Sequence, residues 1–142
     1  MKKFQLIILL FASVILVSGC KSEERVFEIV KTEVYPMLID STSQQWEINI
    51  PIIVKGHTEN PDGEQFKREV LFSVDLIAPD GKKLDTFEEL DFGTVEESKP
   101  DTKMDVQFYV QPADSGEYTA KIRITDRFTK KTITKDQKFK VK

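Results

Sequence analysis

Apolar and polar residues alternate with a period of two along most of the chain after its first 25 residues. That period belongs to β-strands with one buried face. In the clearest run, Trp46, Ile48, Ile50, Ile52 and Val54 alternate with Glu47, Asn49, Pro51, Ile53 and Lys55. Pro51 lies on the polar face and has no amide proton, which points to an edge strand or a bulge there. Val70, Phe72, Val74, Leu76 and Ala78 form a second core face, closed by the turn residues Pro79, Asp80 and Gly81. Leu84 to Phe92 reads as the return strand, with Leu90 and Phe92 inward. Met104, Val106, Phe108 and Val110 make the next face, and Tyr118, Ala120, Ile122 and Ile124 follow after a corner from Pro112 to Gly116. The last strand carries Ile133, Phe139 and Val141; Lys135 and Gln137 share their parity, so an irregularity is expected between them. With an opening strand over Val26 to Val34 the total is seven. No segment after the first 20 residues shows a helical stripe. Seven short antiparallel strands joined by turns predict an all-β fold, a sandwich with a barrel as the alternative.

The chain begins differently. Lys2 and Lys3 precede an apolar run from Phe4 to Val17 that only Gln5 and Ser13 interrupt. That run is 14 residues long, whereas a helix needs roughly 20 to cross the hydrocarbon core. A charged start and a short apolar run read as a signal segment. Small Ser18 and Gly19 then lead into Cys20, the only cysteine of the chain. Val17, Ser18, Gly19 and Cys20 resemble the lipobox of bacterial lipoproteins, although that family prefers leucine where Val17 stands. The resemblance implies that residues 1–19 are a cleaved signal peptide. It also implies that the Cys20 sulfur takes a diacylglyceryl group and its new amino terminus an acyl chain. A thiol suits this chemistry because a thiolate is a far better nucleophile than a hydroxyl. Two or three acyl chains, at about 0.8 kcal/mol per buried CH₂, would hold the protein stably on a membrane. Lys21, where enteric lipoproteins retained at the inner membrane have aspartate, implies the outer membrane of a two-membrane host. In a single-membrane host the same chain would face outward from the plasma membrane.

Residues 20–25 would then be a lipidated terminus and short tether, reaching about 15 to 18 Å from Lys21 to Arg25. Residues 26–142 would be one domain. Loss of a leader with two lysines and no acid takes the formal charge from −3 to −5 (−3 − 2). A mildly acidic domain argues against nucleic acid or anionic headgroups as its main partner. With Cys20 as the only thiol, no internal disulfide can form, and stability must come from an apolar core.

Asp114, Ser115, Gly116, Glu117 and Tyr118 resemble the corner before strand F of immunoglobulin-like domains. The resemblance implies that the Tyr118 hydroxyl bonds back to the backbone and that Gly116 permits the tight turn after Asp114. Ala120 stands where antibody-type domains place their second cysteine. A fibronectin type III-like or other bacterial immunoglobulin-like sandwich therefore fits better. This implies a fold and no reaction.

Candidate chemistry is sparse. His57 is the only histidine; a Cys/His zinc site or Cys/His nucleophile pair is excluded. Neither a Gly-x-Ser-x-Gly elbow nor a His-Glu-x-x-His motif occurs. Placed after Lys55 and Gly56 at a strand end, His57 reads as a solvated loop residue. Glu59, Asn60, Asp62 and Glu64 around Pro61 and Gly63 offer oxygens that could hold calcium, but Asn-Pro-Asp-Gly is also what an ordinary β-turn uses. Glu88, Glu89, Asp91, Glu96 and Glu97 could supply a glycosidase-type carboxylate pair; a solvated acidic face is the expectation. Phe128, flanked by Arg127 and Lys130 at the tip joining the last two strands, is a candidate partner contact, or a cap folded back on the core. Ile53, Leu71, Ile77 and Tyr109 lie off their strands' core faces, and a shared patch among them would mark a partner site.

The expected function is therefore a non-enzymatic, cofactor-free, membrane-tethered sandwich that binds another envelope protein or supports an assembly. The alternative is a glycan- or small-ligand-binding module with Trp46 or Tyr109 as stacking platform; Trp46 begins a core register and is expected to be buried. A small hydrolase comes third.

Overall fold

The computed structural model describes residues 25–99, 101–111 and 113–141. The expected signal segment, Cys20 and most of the expected tether lie outside them, as does Pro112 of the corner. Among the described residues nine strands form: β1 (Glu28–Thr32), β2 (Tyr35–Asp40), β3 (Gln45–Lys55), β4 (Asn60–Asp62), β5 (Gln65–Ile77), β6 (Lys83–Val95), β7 (Asp101–Val110), β8 (Gly116–Asp126) and β9 (Thr132–Val141). None of the described residues forms a helix long and apolar enough to cross a membrane.

The strands build two antiparallel sheets of an immunoglobulin-like sandwich. In the first, β3 pairs with β7 along one edge and with β1 and β2, placed end to end, along the other. In the second, the order β6, β5, β8, β9 is completed by β4, which pairs with the start of β5. Separate sheets rule out the barrel. The alternating apolar residues meet between them: Ile48, Ile50, Ile52 and Val54 from β3, Val70, Phe72, Val74 and Leu76 from β5, Ala120, Ile122 and Ile124 from β8. Trp46 joins this core, 9% exposed.

Four local expectations are corrected. The expected opening strand, Val26 to Val34, is β1 alone, and β2 follows it as an unexpected further strand: β1 pairs with Ile52 to Lys55 and β2 with Gln45 to Asn49. The gap between them falls opposite Ile50 and Pro51. Pro51 is thus neither on an edge nor at a bulge. It lies inside β3, paired to Asp105 across an unbroken β7 register, and it has no proton to give where the opposite edge is interrupted. On β6 the register is the reverse of the expected one. Phe87, Glu89 and Asp91 lie opposite the core residues Val74, Phe72 and Val70, while Leu90 and Phe92 point outward, Phe92 being 71% exposed. As an edge strand β6 is little covered by the facing sheet, so burial does not dictate its apolar positions. Finally, β9 pairs with β8 without irregularity from Val141 to Thr132. Lys135 and Gln137 sit on the inward parity of an outermost strand, where Lys135 reaches solvent.

At the corner, the Tyr118 hydroxyl donates to the Asp114 carbonyl at 2.8 Å. Its ring is buried and stacks on Phe139 with centroids 5.6 Å apart. Gly116 has φ +143°, and a Cβ there would lie 2.9 Å from the Pro79 ring, so both conformation and space require glycine.

Candidate functional site

One end of the sandwich gathers the turn after β3, the first described residues, the β6–β7 connection and the β8–β9 hairpin. Gly56 makes this possible. At φ +76°, it lets the Val26 carbonyl approach so closely that a Cβ would lie 2.1 Å from its oxygen. Arg25 to Phe27 and the hairpin Asp126 to Lys131 thereby enclose what would otherwise be an open loop.

His57 lies inside this enclosure. It is 1% exposed, which corrects the solvated-loop expectation; neither ring nitrogen has a hydrogen-bond partner among the described residues. Its Nε2 lies 3.6 Å from Glu59 Oε1, too far for a good hydrogen bond. Burial pushes the imidazole pKa below its ordinary value; Arg68 adds to this, while Glu59, Asp126 and Asp91 oppose it.

The surrounding carboxylates are held by the chain itself. Glu59 accepts the Ser98 hydroxyl at 2.5 Å and the Lys99 amide at 2.8 Å, tying the β6–β7 connection to the β3–β4 turn. Asp126 accepts the amides of Thr58 at 2.7 Å, Phe128 at 3.0 Å and Thr129 at 3.3 Å. Burial raises the Asp126 pKa, but the bonds from Thr58, Thr129 and Phe128 outweigh it and leave the carboxyl below its usual range. Asp91 takes Arg68 at 3.2 Å and the Thr102 hydroxyl. It therefore departs from the expected solvated acidic face, to which Glu88, Glu89, Glu96 and Glu97 remain exposed.

A cleft of about 540 Å³ opens at this end, lined among others by His57, Glu59, Phe66, Asp126, Thr129 and Lys131. Beside it, Arg127 and Lys130 are exposed and Phe128 is half-buried at the hairpin tip. Arg127, Lys130 and Lys131 form no ion pair among the described residues. The candidate calcium stretch is the tight hairpin between β4 and β5, with Gly63 at φ +65° and Asp62 paired to Lys67 at 2.9 Å. No three His, Cys, Asp or Glu side chains among the described residues are grouped so as to hold a metal ion.

Sequence reasoning missed Glu59, Arg68 and Asp126 as members of one enclosed cluster. Asp126 alone had a usable signal, since an aspartate opening a turn caps the amides two and three residues on.

No family model and no curated protein matches the chain. Solved structures do match in fold. A glycosyl hydrolase family 2 member from Bacteroides cellulosilyticus aligns with TM-score 0.59 and 13% identity, over 81% of this chain and 14% of its own. A structure of such a member from Bacteroides cellulosilyticus DSM 14838 gives 0.61 and 10%, over 81% and 15%. The β-glucuronidase of Parabacteroides merdae gives 0.52 and 15%, over 82% and 14%. This chain thus spans about a seventh of those proteins, and at such identities the likeness is one of fold alone.

The buried histidine gives the fold an acid sensitivity. With a folded pKa below the unfolded value of about 6.5, protonation favours the unfolded chain. The stability is fully present above that value and is lost as pH falls through the folded one. The melting temperature should therefore decline as pH falls below about 6.5, and His57→Gln should flatten that decline. Equal declines in both proteins would contradict this.

Proposed function

We propose that the chain is a lipid-anchored, non-catalytic interaction module of the cell envelope. In this reading Cys20 carries a diacylglyceryl group and an N-acyl chain. It would lie in the outer membrane of a two-membrane host, or on the outer face of the plasma membrane otherwise. The lipobox pattern supports the anchor. One observation carries the non-catalytic reading: within the enclosed cluster Ser98 gives its hydroxyl to Glu59 rather than to His57, and Asp126 is engaged by backbone amides. Among the described residues the His57 imidazole has no hydroxyl or thiol to activate, so the histidine-assisted nucleophile of a hydrolase is missing there.

The partner is another envelope protein, met through Arg127, Phe128 and Lys130. Unpaired cations around a half-buried aromatic are what a polar rim and an anchor residue need. Mild crosslinking in intact membranes should capture a defined protein, and Arg127→Glu with Lys130→Glu should reduce its recovery several-fold. Recovery of the protein alone under several crosslinking conditions would contradict this reading.

A second reading, a glycan-binding module, has its own support. Trp46 is buried and cannot serve as a platform, but Tyr109 is 56% exposed on a sheet face.

A further inference from the structure

We propose that the outer face of the first sheet binds a neutral glycan chain, laid across β3 between Tyr35 and Tyr109; this rests on the glycan-binding reading above. The register fixes which side chains share the face. Met37, Glu47 and Tyr109 form one row across β2, β3 and β7, and Tyr35, Asn49 and Gln107 form the next. Tyr35 and Tyr109 therefore stand on the two strands flanking β3, one row apart, with Cα atoms roughly 12 Å from each other by standard sheet spacings. They are 49% and 56% exposed.

The residues between them are ordered by a chain of hydrogen bonds. The Tyr109 hydroxyl donates to Gln107 Oε1 at 3.2 Å, Gln107 Nε2 to Asn49 Oδ1 at 3.2 Å, and Asn49 Nδ2 to Glu47 Oε1 at 2.6 Å. Side chains already held in place lose less conformational freedom when a ligand arrives. Each amide retains a second N–H and a further lone pair, the complement of a sugar hydroxyl. A shallow trough of about 420 Å³ runs beside this ladder, bounded by Tyr35, Asn49, Pro51, Lys103, Asp105 and Gln107.

The arrangement selects among occupants. Protein interfaces place apolar anchors at the centre and polar groups at the rim. Here the polar ladder is central and the aromatic rings flank it, an order suited to stacking on pyranose faces while the amides meet hydroxyls. Lys103, the one cation bounding the trough, is paired to Asp105 at 3.0 Å. Among the described residues the trough offers a uronate or a sulfate no unpaired cation, so the fitting sugar is uncharged.

Calorimetric titration of the detergent-solubilised protein with cello-, malto-, manno- and xylo-oligosaccharides, and with polygalacturonate as a charged comparison, tests this. At least one neutral oligosaccharide should bind, and Tyr35→Ala and Tyr109→Ala should each weaken it about tenfold. Both side chains are exposed, so the variants should melt like the parent protein. Binding that survives both substitutions, or is confined to polygalacturonate, overturns the inference and leaves the glycan-binding reading standing. No binding to any member of the panel overturns both.

Discussion

Tyr118→Ala is expected to destabilise the domain by about 4 to 5 kcal/mol, in the upper range for deleting a large buried aromatic. Two losses combine. The ring is fully enclosed and stacked on Phe139, so its removal leaves a cavity in the core between the two sheets. Its hydroxyl also supplies a hydrogen bond to the Asp114 carbonyl at the corner where the chain crosses from β7 to β8. Tyr118→Phe separates the two, keeping the ring and losing only the donor. A cost of about 1 to 2 kcal/mol is expected, since the carbonyl is left without its partner. Urea denaturation measures both. A Tyr118→Phe variant as stable as the parent would remove the hydroxyl from the account of the corner, leaving only its packing.

Asp126→Ala is expected to cost about 3 kcal/mol, on the scale of hydrogen bonds to a charged acceptor. The carboxylate holds three amides from two connections, Thr58 from the turn after β3 and Phe128 and Thr129 from the β8–β9 hairpin. Its removal frees all three donors, and the enclosure around His57 should loosen. Hydrogen exchange should therefore accelerate at those amides more than at the β5–β8 ladder; a uniform acceleration would contradict a local staple. Because the folded pKa of Asp126 is depressed, its contribution is present above the unfolded value of about 3.9 and is lost as pH falls through the folded one. Acid should thus act in two stages, His57 first and Asp126 at lower pH.

Legibility in the sequence followed burial. On β3, β5 and β8, flanked on both sides and facing the other sheet, strict alternation identified every core residue. The β7 face read correctly too, although it forms an edge, because its inward side chains meet the core. Elsewhere on the edges the pattern failed for a physical reason. An outermost strand reaches past the facing sheet, so Phe92 can point outward, Lys135 can sit at an inward position, and the apolar residues of β2 need not alternate. The corner at Tyr118 was readable because a glycine at positive φ and a tyrosine two residues later leave a local mark. The enclosure of His57 left none. Its burial depends on Phe27, Phe66 and the hairpin after Asp126, elements distant in sequence that the fold brings together.

Anchoring is the claim on which the proposed function turns. Intact-mass measurement of the protein purified from membranes tests it most directly. The account predicts a chain beginning at Cys20, without residues 1–19 and heavier by a diacylglyceryl and an N-acyl group. An unmodified cysteine, or a chain still carrying residues 1–19, would contradict it.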